Sequence, residues 1–161
     1  MNNLIEMREI NKLIKEKFYI PSYQRGYRWD EKQVIDLLED IYEFMHKSNK
    51  KDGEFYCLQP IVIKRNDERC EVIDGQQRLT TIMIIQRFLS GDTYSIEYAT
   101  RKGSKEYLEN IKENAKEDIE AKNIDYYFMQ KAYRVIERWF NQLMRDHEEY
   151  TLKMHFYITI G

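Results

Sequence analysis

The spacing of hydrophobic residues changes abruptly in the middle of the chain, around residues 70–89. Val72 and Ile73 form a short β-branched run between polar residues, which is typical of a strand. Beyond it, apolar side chains recur at spacings of three and four, the period of a helix. These side chains are Leu79, Ile82, Met83 and Leu89. The sequence therefore predicts a strand, a polar loop at residues 74–77 and a helix.

The same reasoning predicts helices and strands along the rest of the chain. Asp30, with Gln33 three residues later, forms a capping box and predicts the start of a helix. Further helices are predicted over residues 9–17, 101–114 with Ser104 as a cap, and 124–146. Strands are predicted over residues 55–64 with Pro60 at an edge or bulge, 68–73 as the partner strand of a hairpin, 94–98 and 152–160. Because these elements are interspersed without a repeat or linker, we expect one α+β domain over residues 1–161.

The dipeptide Asp74-Gly75 has an alternative interpretation, because it is also typical of a two-residue hairpin turn. A hairpin requires alternating apolar and polar residues on both sides, and residues 77–89 do not alternate. We therefore favour the loop between a strand and a helix over the plain hairpin. The loop is not a Walker A loop, since no Gly-Lys-Ser/Thr follows it.

The loop at residues 74–77 has the chemistry of an anion site. The first N–H groups of a helix lack partners within the helix, and the helix dipole places partial positive charge beside them. Arg78 adds a full positive charge at the same position. Such a corner binds anions and above all phosphate, so we expect phosphate binding here.

A second unusual stretch, residues 21–29, alternates aromatic side chains with arginine and glutamine. One interpretation is a surface loop whose Tyr and Trp side chains pack on the core while the arginines are solvated. The functional interpretation is that Gln24 and Arg25 reach an anion while Tyr27 and Trp29 wedge the loop in place. Because one phosphate needs donors from several directions, we expect Arg25 to lie close to Arg78.

Composition limits the class of protein. With 161 residues, 42% apolar and 14% aromatic, the chain can bury a hydrophobic core. The net charge of -2 provides no global positive field for non-specific binding to DNA. Cys57 and Cys70 lie in strand-like apolar runs without CxxC spacing, so we expect two buried free thiols. No apolar stretch approaches about 18 residues and no signal peptide is recognisable, so we expect a cytoplasmic protein outside the membrane.

Two motifs resemble those of a known family. They are Ile20-Pro21-Ser22-Tyr23-Gln24-Arg25-Gly26-Tyr27-Arg28-Trp29 and Ile73-Asp74-Gly75-Gln76-Gln77-Arg78-Leu79-Thr80-Thr81. The chain resembles the N-terminal domain of GmrSD-type type IV restriction endonucleases. That family is similar in fold to the ParB and sulfiredoxin group, an α+β architecture in which the corresponding loop, between a strand and a helix, holds nucleotide phosphates. The resemblance thus implies a small mixed sheet with packed helices.

The resemblance also implies NTP binding and hydrolysis, of a GTPase or UTPase type, coupled to restriction of modified phage DNA. DNA cutting would belong to a separate HNH nuclease domain, and the family's later Arg-Gly segment would lie beyond residue 161. We therefore expect a fragment of a longer chain that is weakly active or inactive by itself. The expected partners are an NTP of unknown base and DNA, the latter indirectly or through the nuclease domain, and oligomerisation is compatible with the sequence.

The candidate site residues come from the two motifs. The catalytic candidates are Asp74, Gln77 and Arg78. The nucleotide-binding and phosphate-binding candidates are Tyr23, Gln24, Arg25, Gly75, Gln76, Arg78 and Thr81. Asp74 can align a water molecule or Mg²⁺, while the arginines offset charge on the transferred phosphoryl group; no other metal ligand is assigned.

The residues of the loop also bear on two other functions. Sulfiredoxin-like chemistry requires a cysteine in the phosphate loop. Because this chain has Gln76 and Gln77 there, we do not expect that chemistry. A binding module that senses nucleotide or modified DNA without turnover remains the alternative, because no histidine or paired carboxylate lies beside the loop as a general base.

Overall fold

A computed structural model describes residues 5–89, 92–116, 121–146 and 158–160. Its strands are β1 (Arg8–Glu9), β2 (Lys17–Ile20), β3 (Tyr56–Leu58), β4 (Val62–Arg65), β5 (Cys70–Asp74), β6 (Ser95–Tyr98) and β7 (Ile158–Ile160). Its α-helices are α1 (Glu31–His46), α2 (Gln76–Leu89), α3 (Ser104–Glu109), α4 (Ile111–Lys116) and α5 (Ile124–Asp146). The structure confirms the predicted α+β class with a small mixed sheet and packed helices. The likeness to the ParB and sulfiredoxin group stays a prediction.

The main sheet has four strands in the order β4-β5-β2-β6. The central strand β2 is parallel to β5 and to β6, so that Phe18 pairs with both Cys70 and Ile96. β4 is an antiparallel edge strand beside β5, which confirms the predicted hairpin partner. Because β2, β5 and β6 run in one direction, their carboxyl ends lie at one edge of the sheet.

One face of the main sheet is buried and carries the hydrophobic core. Burial alternates along β2 and β6, as the period of two in a strand requires. The buried side chains of these strands and of β5 are Phe18, Ile20, Cys70, Val72, Ile96 and Tyr98. Helix α2 packs among these side chains and α5, and residues 79–85 are buried without interruption. α2 is therefore a core helix rather than a surface helix.

The second sheet is small and has the order β1-β7-β3. β7 is antiparallel to β1 and parallel to β3. The predicted strand over residues 55–64 was wrong in one respect, since it is divided into β3 and β4, which belong to different sheets. Pro60 lies in the break, where its missing N–H prevents a continuous ladder. Residues 152–157 of the predicted last strand lie outside the described residues.

Two predicted helices were also partly wrong. Residues 9–17 form a short 3-10 helix (Ile10–Leu13) between β1 and β2, because Lys17 already pairs in the main sheet. The predicted helix over 101–114 is divided into α3 and α4. Ser104 does not cap α3; its Oγ instead accepts a hydrogen bond of 2.8 Å from the backbone N–H of Tyr98.

The capping box at Asp30 and the bounds of the last long helix were predicted correctly. Asp30 accepts a hydrogen bond from the N–H of Glu31, and Oε1 of Gln33 accepts one from the N–H of Asp30 at 2.9 Å. α5 extends over residues 124–146 and contacts α1, α2 and α4. Within the described ranges, no helix combines the length and the apolar character needed to cross a membrane.

The two cysteines occupy different environments. Cys70 is buried, as expected, but Cys57 is exposed. The reason is alternation along β3, where the next residue, Leu58, is the one whose side chain enters the core. Burial beside Glu16 raises the pKa of the Cys70 thiol to about 11.

We predict that an aromatic disulfide reagent labels one thiol in the native protein at neutral pH. Cys57 is accessible, whereas Cys70 is both buried and held in the unreactive protonated form. Absorbance of the released thiolate should correspond to one thiol per chain, and to two after unfolding in guanidinium. The variant Cys57→Ser should show no rapid labelling, and rapid labelling of that variant would contradict the burial of Cys70.

Candidate functional site

Three loops leave the carboxyl ends of the parallel strands and meet at one edge of the sheet. The first loop (residues 21–29) follows β2, the second (residues 74–77) spans the end of β5 and the start of α2, and the third (residues 99–103) follows β6. Ligands of open sheets with parallel strands bind outside this edge. Both sequence motifs therefore lie at the edge where a ligand site is expected.

The second loop has the predicted course from a strand into a helix. Gly75 has a positive φ of 94°, and a Cβ added there would lie 2.9 Å from Cγ1 of Ile61. Its carbonyl oxygen accepts the first bond of α2, from the N–H of Leu79 at 3.0 Å. The N–H groups of residues 76–78 thus begin the helix without partners inside it. The plain hairpin alternative is excluded, because α2 begins at Gln76.

The side chain of Gln77 joins the first loop to the second. Its Nε2 donates to the carbonyl oxygen of Gly26 at 2.8 Å, and its Oε1 accepts from the backbone N–H of Arg28 at 2.8 Å. Gln24 adds a bond from its Nε2 to the carbonyl oxygen of Ile73 at 2.5 Å. Both ends of the Gln77 amide are therefore used to hold the two loops together. A catalytic role for Gln77 stays a prediction.

Below this contact, Tyr27 anchors the first loop in the core, as both interpretations of this stretch expected. Its fully buried hydroxyl lies 2.8 Å from Oγ1 of Thr81, and Thr81 donates to the carbonyl oxygen of Gln77 at 2.9 Å. Since that bond uses the only hydroxyl proton of Thr81, Tyr27 must donate to Thr81. Burial raises the pKa of the Tyr27 phenol, which stays a neutral donor.

That Thr81 binds phosphate stays a prediction, which the geometry of this side chain does not favour. Its side chain is fully buried, and its hydroxyl already makes two hydrogen bonds inside the protein. The helical period places this residue one turn inside α2, with its side chain toward the core rather than toward the loop.

The remaining candidates lie at or near the surface. Asp74 and Arg25 are exposed, and Gln76 is half-buried. Asp74 Oδ1 accepts from the N–H of Gly75 at 2.9 Å. The half-buried Arg78 donates to the carbonyl oxygen of Gln59 at 3.2 Å and to its Oε1 at 2.7 Å. The predicted approach of Arg25 to Arg78 stays a prediction.

Tyr23 is the most exposed aromatic side chain among these candidates. It is 68% exposed, and its hydroxyl donates to Oε1 of Glu71 at 3.2 Å. The bond fixes the phenol end of the ring.

Sequence reasoning missed an ion cluster formed by Arg28, Arg101 and Asp125. Asp125, in the first turn of α5, is 1% exposed and pairs with both arginines. Gly26 lies against the same carboxylate, where a Cβ would have no room. Arg28 and Asp125 are 97 positions apart, and no local pattern relates them. A charged residue at a buried position of an amphipathic helix was the only available signal.

A groove of about 650 Å³ lies away from the candidate site. It is lined by Lys17, Phe18, Tyr19, Asp67, Glu68, Arg69, Ser95, Glu97 and Lys105. These residues include the starts of β2 and β6, so the groove adjoins the amino ends of the parallel strands rather than their carboxyl ends. No predicted site residue lines it.

Comparison with known families gives a match over nearly the whole chain. The model of the family described as GmrSD restriction endonuclease, N-terminal domain, matches residues 2–160. A search of curated proteins found no match. The family match includes all three loops and the strands that precede them.

We predict that Gly75→Ala destabilises the protein more than Gly53→Ala. Both glycines have a positive φ, which costs an alanine about 1–2 kcal/mol. A Cβ at Gly53 meets nothing within 4 Å, whereas one at Gly75 meets the side chain and backbone of Ile61. This contact should add about 1–3 kcal/mol. Urea unfolding of the two variants measures the difference, and equal losses would mean that Ile61 moves aside freely.

Proposed function

The chain belongs to the family of GmrSD restriction endonuclease N-terminal domains, and from this we propose that it binds a nucleoside triphosphate and hydrolyses it. Membership of the family makes it part of a type IV restriction system. We further propose that nucleotide binding here regulates the cutting of modified DNA by a separate nuclease domain. The observation that carries the proposal is that both motif-bearing loops meet a third loop at the carboxyl edge of the parallel strands.

The phosphates would bind at the start of α2. Gly75 has no side chain to obstruct the N–H groups of residues 76–78, and the helix dipole adds partial positive charge there. Arg78 is half-buried beside these groups, and Arg25 is exposed on the first loop. A polyphosphate thus meets donors from the helix and from both loops, which is the arrangement that charge-assisted hydrogen bonds require.

The nucleoside would lie against the first loop. The ring of Tyr23 is exposed and fixed at its hydroxyl by Glu71. An aromatic ring held in this way can stack on a base of any identity. Stacking therefore supplies affinity without choosing among nucleotides.

Hydrolysis would depend on Asp74. Its Oδ1 accepts from Gly75, and within the described residues Oδ2 has no hydrogen-bond partner. That oxygen can orient a water molecule toward the terminal phosphorus, so that the bond to the bridging oxygen breaks and a nucleoside diphosphate and inorganic phosphate form. One exposed carboxylate together with phosphate oxygens also suits Mg²⁺, which would offset phosphate charge when bound.

Binding without turnover is the second candidate function. The observation that favours it is the use of both ends of the Gln77 amide in holding the loops, which leaves that side chain unable to orient water. Among the described residues, no group of three or more His, Cys, Asp or Glu side chains is arranged to hold a metal ion.

We predict that Arg78→Ala weakens nucleotide binding about ten-fold or more and leaves the fold intact. A charge-assisted hydrogen bond contributes roughly 1.5–3 kcal/mol, whereas the bonds of Arg78 to Gln59 lie at the surface. Calorimetry with GTP, UTP and ATP measures the change. Arg65→Ala is the control, because Arg65 pairs with Glu16 at the opposite end of β5. Unchanged affinity in Arg78→Ala would remove Arg78 from the site.

We predict that Asp74→Ala abolishes any release of phosphate while nucleotide binding is retained. The carboxylate is exposed and makes one local hydrogen bond, so its loss should affect chemistry more than folding. A coupled phosphate assay compares it with Asp67→Ala, which removes an exposed carboxylate from the turn between β4 and β5. Binding by the wild-type chain without phosphate release would favour the second candidate function.

A further inference from the structure

The cluster of Arg28, Arg101 and Asp125 lies where the first and third loops meet the start of α5. We propose that this cluster is a second part of the phosphate site, in which Arg101 binds the polyphosphate directly and Asp125 is the positioning residue for Arg28 and Arg101. The inference rests on the nucleotide binding proposed above. It assigns to that function three residues outside the candidate set.

The first argument is the charge of the cluster. Two guanidinium groups, which are always protonated, share one carboxylate. In the part of the chain that the structure describes, no other carboxylate pairs with either arginine. One positive charge therefore remains uncompensated beside the loops. A polyphosphate would neutralise it.

The second argument is the geometry of the guanidinium groups. Asp125 contacts Arg28 at Nη1 and Arg101 at Nε, the latter at 2.5 Å. Nη1 of Arg28 also donates to the carbonyl oxygen of Tyr27 at 2.6 Å, and Nη1 of Arg101 donates to that of Thr100 at 3.1 Å. Among the hydrogen bonds of the described residues, Nη2 of each arginine has no acceptor. The side chain of Arg101 is 33% exposed and that of Arg28 is 20% exposed, so Arg101 is the more accessible ligand.

The third argument is continuity with the loops that hold the start of α2. Gly26 lies directly against the Asp125 carboxylate, and its carbonyl oxygen accepts from Nε2 of Gln77 at 2.8 Å. Gln77 belongs to the first turn of α2. The cluster is therefore joined to the proposed phosphate site through one backbone residue. A chain of phosphates that begins at α2 can extend toward the third loop.

This arrangement predicts that the contribution of Arg101 depends on the number of phosphates. Arg101→Gln should weaken binding of a nucleoside triphosphate and of inorganic tripolyphosphate about ten-fold or more, and binding of the monophosphate little. A merely structural role would weaken all three ligands equally. Arg101→Lys, which keeps the charge, should recover part of the loss.

The experiment is calorimetry on the 161-residue chain with GTP, UTP, ATP, their monophosphates and inorganic tripolyphosphate. Arg138→Gln is the matched control, because Arg138 pairs with Glu31 and lies 13 positions, or roughly 20 Å, along α5 from Asp125. Asp125→Asn should reduce triphosphate affinity in the same way as Arg101→Gln. Should Asp125→Asn fail to fold, the triphosphate affinities of Asp125→Glu and Arg101→Gln test the inference instead.

The outcomes separate this inference from the proposed function. Suppose that the wild-type chain binds a nucleoside triphosphate. If Arg101→Gln then binds it equally well, or loses monophosphate affinity to the same extent as triphosphate affinity, this inference is overturned and the proposed function is not. If the wild-type chain binds tripolyphosphate through Arg101 but binds no nucleotide, the cluster stands as an anion site and the proposed function falls. Binding of neither ligand would overturn both.

Discussion

Parallel pairing of β2 with both β5 and β6 is the constraint on which the candidate site depends. It places the ends of three strands, Ile20, Asp74 and Tyr98, at one edge, although they are far apart in sequence. Each strand alternates core and surface side chains, so a shift of one residue in register would expose the buried set. The core that fixes this register therefore also fixes the separation of the loops. The site therefore forms together with the core, when Phe18, Val72 and Ile96 become buried.

The loops themselves are held by polar groups that the interior makes costly to separate. A buried carboxylate such as Asp125 is tolerated only when it is paired, and removing one partner of a buried pair typically costs about 3–5 kcal/mol. Arg28 donates a hydrogen bond to Oδ1 of Asp125, and Arg101 forms an ion pair with Oδ2, which has no hydrogen-bond partner among the described residues. The amide of Gln77 likewise holds the first two loops together, because both of its ends are hydrogen-bonded to the first loop. Consequently the first loop is attached on two sides, which gives its exposed residues Tyr23 and Arg25 a rigid base.

The sequence predicted those features that depend on interactions between neighbouring residues. The loop before α2 follows from the change of period at residue 74, and the start of α1 follows from the capping box at Asp30. Pairings between distant residues had no such signal. Nothing near Gln77 in sequence indicates that its amide bonds Gly26, and nothing near Asp125 indicates two arginines. The division of residues 55–64 between two sheets and the exposure of Cys57 are also tertiary effects, decided by which side chains the core accepts.

The distribution of charge bears on which polyanion the edge suits. The chain as a whole carries -2, yet five cationic side chains stand against two carboxylates (Asp74 and Asp125) on the three loops and the first turns of α2 and α5. The cations are Arg25, Arg28, Arg78, Arg101 and Lys102. A duplex DNA backbone needs cations spread along many phosphates, and its affinity depends on how many it neutralises. A nucleotide concentrates several negative charges within one small site. A local excess of positive charge on a negative protein suits the compact polyphosphate better than the extended one, which is consistent with the proposed nucleotide binding at this edge.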